Sequence, residues 1–107
     1  MNKHDFEFVL KNKKVFHGDH FYLVLHKPEL PKGLEKVKFS AVVSSKILKK
    51  AVDRNKLRRR MNEASGDYVK SMKNPAYMAL FAKTGSGQLK FSEIRTEVSS
   101  LFAKISV

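Results

Sequence analysis

The chain has 107 residues, 42% apolar and 30% charged, with a formal net charge of +12 and no cysteine. That length suits one domain around a single core, the apolar content argues against a disordered tail, and the missing cysteines exclude disulfides and thiolate metal sites. No run approaches the roughly 18 apolar residues of a membrane span, and MNKHDFEFVL lacks the apolar core and cleavage site of a signal peptide, so a soluble, cytoplasmic protein is expected.

DFEFVLK, residues 5–11, places Phe6, Val9 and Leu10 at i, i+3 and i+4 behind a capping Asp5. That spacing predicts a short amphipathic helix. VFHGDHFYLVLHK, 15–27, is rich in aromatic and β-branched residues and predicts a strand. Gly18 marks a kink, with room for a separate strand over 15–17. Phe21, Leu23 and Leu25 share one face of it, Tyr22 and Val24 the other. KPELPKG, 27–33, reads as a loop. In KVKFSAVVS, 36–44, Val37, Phe39, Ala41 and Val43 alternate with Lys38, Ser40 and Ser44. This is a half-buried strand, expected to pair antiparallel with the first.

The next segment, KILKKAVDRNKLRRR at 46–60, has eight basic residues in fifteen and one acid, Asp53. Leu57, Met61, Ala64 and Tyr68 recur at helical spacing, so a helix is expected from about Lys49 to about Ser71, ending before Asn74-Pro75. Asn55, Lys56 and Arg59 fall opposite the stripe, with Arg58 and Arg60 on its two flanks. AYMALFAK, 76–83, is apolar on both faces and reads as a central strand. TGSG, 84–87, is a turn, and FSEIRTEVSSLFAKI, 91–105, is a closing helix with Phe91, Ile94, Val98, Leu101, Phe102 and Ile105 on one stripe. The element order predicts a small α+β sandwich with helices packed on a sheet.

The basic helix carries the functional signal. Cations at a helix N-terminus oppose the macrodipole, and like charges at i, i+4 repel. Such strain is relieved by a bound polyanion, and phosphate neutralisation releases counterions. An anionic membrane surface is the rival partner. It fits less well, because the apolar stripe is narrow and needed for the sheet, and because Asn55 interrupts the charge. Arg supplies a planar fork for phosphate, Lys a mobile point charge. His17, His20 and His26 do not have an established metal-ligand spacing, and GSG at 85–87 lacks the Lys-Ser/Thr of a phosphate loop.

Val43-Ser44-Ser45-Lys46 followed by Lys49-Lys50-Ala51-Val52-Asp53-Arg54-Asn55-Lys56-Leu57-Arg58-Arg59-Arg60 and Glu63-Ala64 resembles the signature of the bacterial ribonuclease P protein family, with its Arg-Asn-Arg motif. DFEFVLKNKKVF resembles the family's opening, and YMALFAK, LKFSEI and SSLF its last strand and helix. The resemblance covers nearly the whole chain, 1–107, as one RNA-binding domain.

The resemblance implies a ribosomal-protein-like α/β sandwich with a mixed sheet and a left-handed βαβ crossover, against the usual hand. It implies a protein subunit of an endoribonuclease that removes the 5′ leader of precursor tRNA. The catalyst is then the RNA, with magnesium entering through the RNA and no cofactor bound by the protein alone. The partners are the RNA subunit and precursor tRNA, with the free protein a monomer and no membrane involved. Carried over to this chain, Arg54, Asn55, Lys56, Arg58, Arg59 and Arg60 contact the RNA subunit, and Lys46, Lys49 and Lys50 extend that surface. A cleft at Phe6, Leu10, Phe16 and Phe21 holds the single-stranded leader by stacking. Leu10 stands where the family has a second cleft aromatic, leaving Phe8 or Phe16 to compensate. Lys56 replaces the second Arg of the motif, Ser45 a Lys, and Asn62 an Arg. Four residues precede Asp5, where the family often carries a longer basic arm. The alternative function is a ribosome-associated or structural RNA-binding protein.

Overall fold

In a computed structural model of the chain, residues 14–26, 37–72 and 76–105 are described. The helix expected over 5–11, with Phe6, Phe8 and Leu10, lies outside them, as do the loop over 27–33 and the Asn74-Pro75 stop. The elements run β1 (Lys14–His17), β2 (Phe21–His26), β3 (Lys38–Val42), α1 (Ala51–Ser71), β4 (Tyr77–Ala82), a 3-10 turn (Ser86–Gln88) and α2 (Phe91–Ala103).

The expected strand over 15–27 is two strands. The chain reverses at residues 18–20, and the Gly18 N–H donates to the Phe21 carbonyl at 2.8 Å. Gly18 is there for space: a Cβ would sit 2.8 Å from Glu97 Oε2. β1 and β2 form an antiparallel hairpin in which Phe16 faces Leu23 and His17 faces Tyr22.

The sheet order is β1-β2-β4-β3. This corrects the expected pairing of the second hairpin. β3 does not lie beside β2; it runs parallel to β4, which is inserted between them and antiparallel to β2. β4 is flanked on both sides, which is why it is apolar on both faces. The parallel pair requires a crossover, and α1 supplies it.

The alternation read from the strands holds in three dimensions. Phe21, Leu23 and Leu25 join Met78, Leu80 and Ala82 on the face covered by the helices, with Phe39 and Ala41 packed against them. α1 contributes Leu57, Met61 and Ala64, and α2 contributes Ile94, Val98, Leu101 and Phe102. Tyr68 is not part of that core; it remains exposed and stacks on Phe102 with ring centroids 5.1 Å apart. The opposite face of the sheet carries a second, smaller cluster of Val24 and Tyr77 with Val15, Tyr22 and Phe81.

α2 starts with Glu93 reaching back to accept the Lys90 N–H at 2.9 Å. Lys90 has no acceptor side chain, so this is the returning arm of a capping box alone. α1 begins two residues later than expected, at Ala51, and its N-cap residue Lys50 makes no side-chain cap. Lys46, Lys49 and Lys50 therefore all lie on the turn that leads into the helix.

Met61 is fully buried between α1 and the sheet. Met61→Ala should lower the unfolding free energy by about 2–5 kcal/mol, read from urea denaturation.

Candidate nucleic-acid interface

Two surfaces of different chemistry emerge. The first is the cationic turn and helix. β3 ends at Val42, and the chain turns over 44–50 before α1 begins. The Ile47 and Leu48 N–H groups both donate to the Ser44 carbonyl, at 3.1 and 3.2 Å. Ile47 and Leu48 pack against the core, which turns Lys46, Lys49 and Lys50 outward, and all three are exposed. Leu48 also explains the glycine at 87, where a Cβ would lie 2.8 Å from Leu48 Cδ2.

Along α1, Asn55, Lys56 and Arg59 are exposed, and Arg58 and Arg60 are half-buried on the flanks, as the spacing predicts. Val52 joins this outer face at 77% exposure. Asp53 is the one acid in the first turn, where it opposes the positive end of the helix dipole favourably.

The arginines are not all equally free. Arg54 is half-buried, and its Nη1 donates to two backbone carbonyls, Leu48 at 2.9 Å and Lys49 at 2.7 Å. Arg58 donates through Nη2 to Asn55 Oδ1. Asn55 thus steadies an arginine one turn along. The sequence alone does not reveal either arrangement, although the i, i+3 spacing of Asn55 and Arg58 permits the second.

The second surface lies on the other face of the sheet. Tyr22 and Phe81 stack in parallel with centroids 4.7 Å apart. His17 continues the row at 5.9 Å from Tyr22. Lys83 Nζ lies 5.9 Å from the Tyr22 ring and Lys38 Nζ 5.8 Å from the Tyr77 ring. Val24 and Tyr77 are buried, whereas Tyr22 and Phe81 are half-buried and His17 is exposed. Desolvation by burial raises the pKa of the Tyr22 phenol above 10.0, so it is a neutral ring at physiological pH and adds no charge against a phosphate.

Burial corrects one of the expected cleft residues. Phe21 is fully buried in the helix-side core, so its ring cannot meet a ligand. Phe16 packs against the same core from the edge strand. Alternation along β2 puts Tyr22 on the face opposite Phe21.

The two surfaces meet at one end of the sheet. β3 and β4 are parallel, so the 44–50 turn and Lys83 leave from the same end, and the β1–β2 reversal returns there. The junction is well tied. Glu97 on α2 accepts from the His20 backbone N–H at 2.8 Å, and its other oxygen lies 2.9 Å from His20 Nδ1. Lys83 Nζ donates to the Gly18 carbonyl at 2.8 Å, and Lys104 Nζ to that of His17 at 2.9 Å.

No cluster of three or more metal-ligating side chains occurs among the described residues. No helix among them is long and apolar enough to cross a membrane.

The profile of the Ribonuclease P family matches residues 1–106. The ribonuclease P protein component of Rickettsia canadensis is 34% identical, the alignment covering 96% of this chain and 92% of the relative. That of Microcystis aeruginosa is 23% identical over 99% of this chain and 88% of the relative. The chain belongs to the ribonuclease P protein family. It is therefore the protein subunit of a ribonucleoprotein endoribonuclease of tRNA processing. Solved ribonuclease P proteins share the fold. That of Staphylococcus aureus superposes with a TM-score of 0.82 at 20% identity, covering 98% of this chain and 94% of its own. That of Thermotoga maritima gives 0.78 at 20% identity, covering 96% and 93%.

Proposed function

We propose that this ribonuclease P protein grips the catalytic RNA subunit with the cationic turn and α1. The 5′ leader of precursor tRNA then runs along the aromatic face. The observation that carries the first half is the surface formed by Lys46, Lys49, Lys50, Lys56 and Arg59. All five are exposed, and Asp53 is the one acidic side chain among residues 44–60. A phosphate backbone is the natural counter-charge to such a surface.

The Tyr22–Phe81 stack supports the second half. Base–aromatic stacking accepts every base, which suits an enzyme whose substrates share a cleavage site rather than a leader sequence. Lys83 lies where a leader phosphate would pass. Phe6 and Leu10, carried over from the family resemblance, complete the cleft in this proposal. In this reading, as the family resemblance implies, the chemistry belongs to the RNA, with magnesium held there. The protein works as a cytoplasmic monomer before it joins the RNA.

The deciding experiment is single-turnover cleavage of a precursor tRNA by the cognate RNA subunit at limiting magnesium. Adding the protein should restore cleavage, and the protein alone should cleave nothing. Tight RNA binding without rescue would instead favour a structural RNA-binding role. Arg59→Ala should weaken RNA-subunit binding and reduce the slope of log affinity against log salt by about one. An unchanged slope would remove Arg59 from the interface. Tyr22→Ala should weaken binding of the leader-bearing substrate by about 1–3 kcal/mol, with affinity for a leaderless tRNA unchanged. Equal losses for both substrates would place Tyr22 in a purely structural role.

A further inference from the structure

Arg54 differs from the cations around it. Lys46, Lys49, Lys50, Lys56 and Arg59 are exposed, whereas Arg54 is half-buried and its Nη1 already bridges two carbonyls. Those carbonyls, of Leu48 and Lys49, immediately precede the helix. The first helical hydrogen bond of α1 runs from the Arg54 N–H to the Lys50 carbonyl at 3.1 Å. Lys49 and Leu48 lie one and two residues too early for a helical donor, and the Arg54 guanidinium fills that place. Charge-assisted bonds of this kind are roughly twice as strong as neutral ones.

The bridged segment needs such a clamp. It holds Lys46, Lys49 and Lys50 within five residues, and their charges push the turn open. Its other ties are two N–H bonds to the Ser44 carbonyl and the packing of Ile47 and Leu48 against the core, with Leu48 beside Gly87. We infer that Arg54 is a positioning residue: its guanidinium holds the 44–50 turn in shape so that Lys46, Lys49 and Lys50 meet the RNA as one preformed surface. This rests on the RNA-binding role proposed above. A lysine at 54 keeps the charge, but its ammonium ends one bond short of Nη1 and lacks the two in-plane N–H groups that reach both carbonyls. Preforming the turn removes an ordering cost from binding.

The test has two arms. In the free protein, amide hydrogen exchange is measured for wild type, Arg54→Met and Arg54→Lys, with the Leu80 and Ile94 amides as controls for the fold. Exchange at Ile47 and Leu48 should rise about tenfold or more in Arg54→Met, the scale of a lost hydrogen bond to a charged group, and the controls should stay protected. Arg54→Lys serves in its place if Arg54→Met does not fold. In the second arm, the Lys49→Ala/Lys50→Ala double variant is made in wild type and in Arg54→Met, and affinity for the RNA subunit is measured. The lysine loss should be smaller in the Arg54→Met background, with a coupling of about threefold or more. Unchanged exchange overturns the clamp. Faster exchange with additive losses overturns its role in binding, because the lysines then act independently of it. If wild type fails to bind the RNA subunit, the functional reading falls, and the exchange arm still decides whether Arg54 holds the turn.

Discussion

The contact between α1 and the sheet carries the rest of this structure, because α1 is a helix that repels itself. Arg54 and Arg58 are like charges at i, i+4, and Lys49 and Lys50 crowd its positive end. Such pairs cost about 0.2–0.5 kcal/mol each, and cations beside a helix N-terminus about 0.3–1 kcal/mol each. Against this stand Leu57 and Met61, buried against the sheet. Each fully buried side chain of that class contributes about 1.5–3 kcal/mol. The apolar stripe therefore outweighs the repulsion, although the repulsion cancels a sizeable part of it. A bound polyanion would remove the opposing term, so the free protein is in effect loaded for its partner.

The placement of α1 as a crossover also decides where its charge appears. Because β3 and β4 are parallel neighbours, the chain must leave one end of the sheet and re-enter at the other. The cationic turn sits at the exit end. That is where β4 delivers Lys83 and where the β1–β2 reversal brings His17. Glu97, Lys83 and Lys104 fasten this corner by bonding backbone groups of residues 17–20. Helix-side charge and sheet-side aromatics thus border one corner, although they lie on opposite faces of the sheet. In the proposed function, an RNA held on the first surface passes a single strand to the second across this short edge.

Local pattern made much of this readable in advance. Period-two alternation sorted the side chains of 15–27 and 36–44 onto two faces, and the Leu57-Met61-Ala64 stripe named the buried face of α1. Two long-range facts were not readable. Nothing in the local pattern of 36–44 says that β4 slips between it and β2; that depends on a strand almost forty residues further on. The expected place of Phe21 in the cleft fails for a related reason. Alternation separates Phe16 and Phe21 from Tyr22, but does not say which set the helices will cover. An aromatic is as good in a core as in a binding face. The Arg54 bridge was hidden for a third reason: it depends on where the helix starts, and helix ends are the least certain feature of any periodic pattern.

The cations also divide by type. Arg54 and Arg58 turn their guanidinium groups on acceptors of the protein itself, the carbonyls of Leu48 and Lys49 and the side chain of Asn55. The outward positions are mostly lysines: Lys46, Lys49, Lys50 and Lys56, with Arg59 beside them. This follows from what each group does well. A planar fork is suited to fixed acceptors at set angles, as in a folded backbone. An ammonium on a flexible stem suits phosphates whose positions vary along an RNA surface. In that light, lysine at position 56 in place of the motif's second arginine costs little. The position is exposed, and the hydrogen bonds to the protein's own acceptors fall to Arg54 and Arg58.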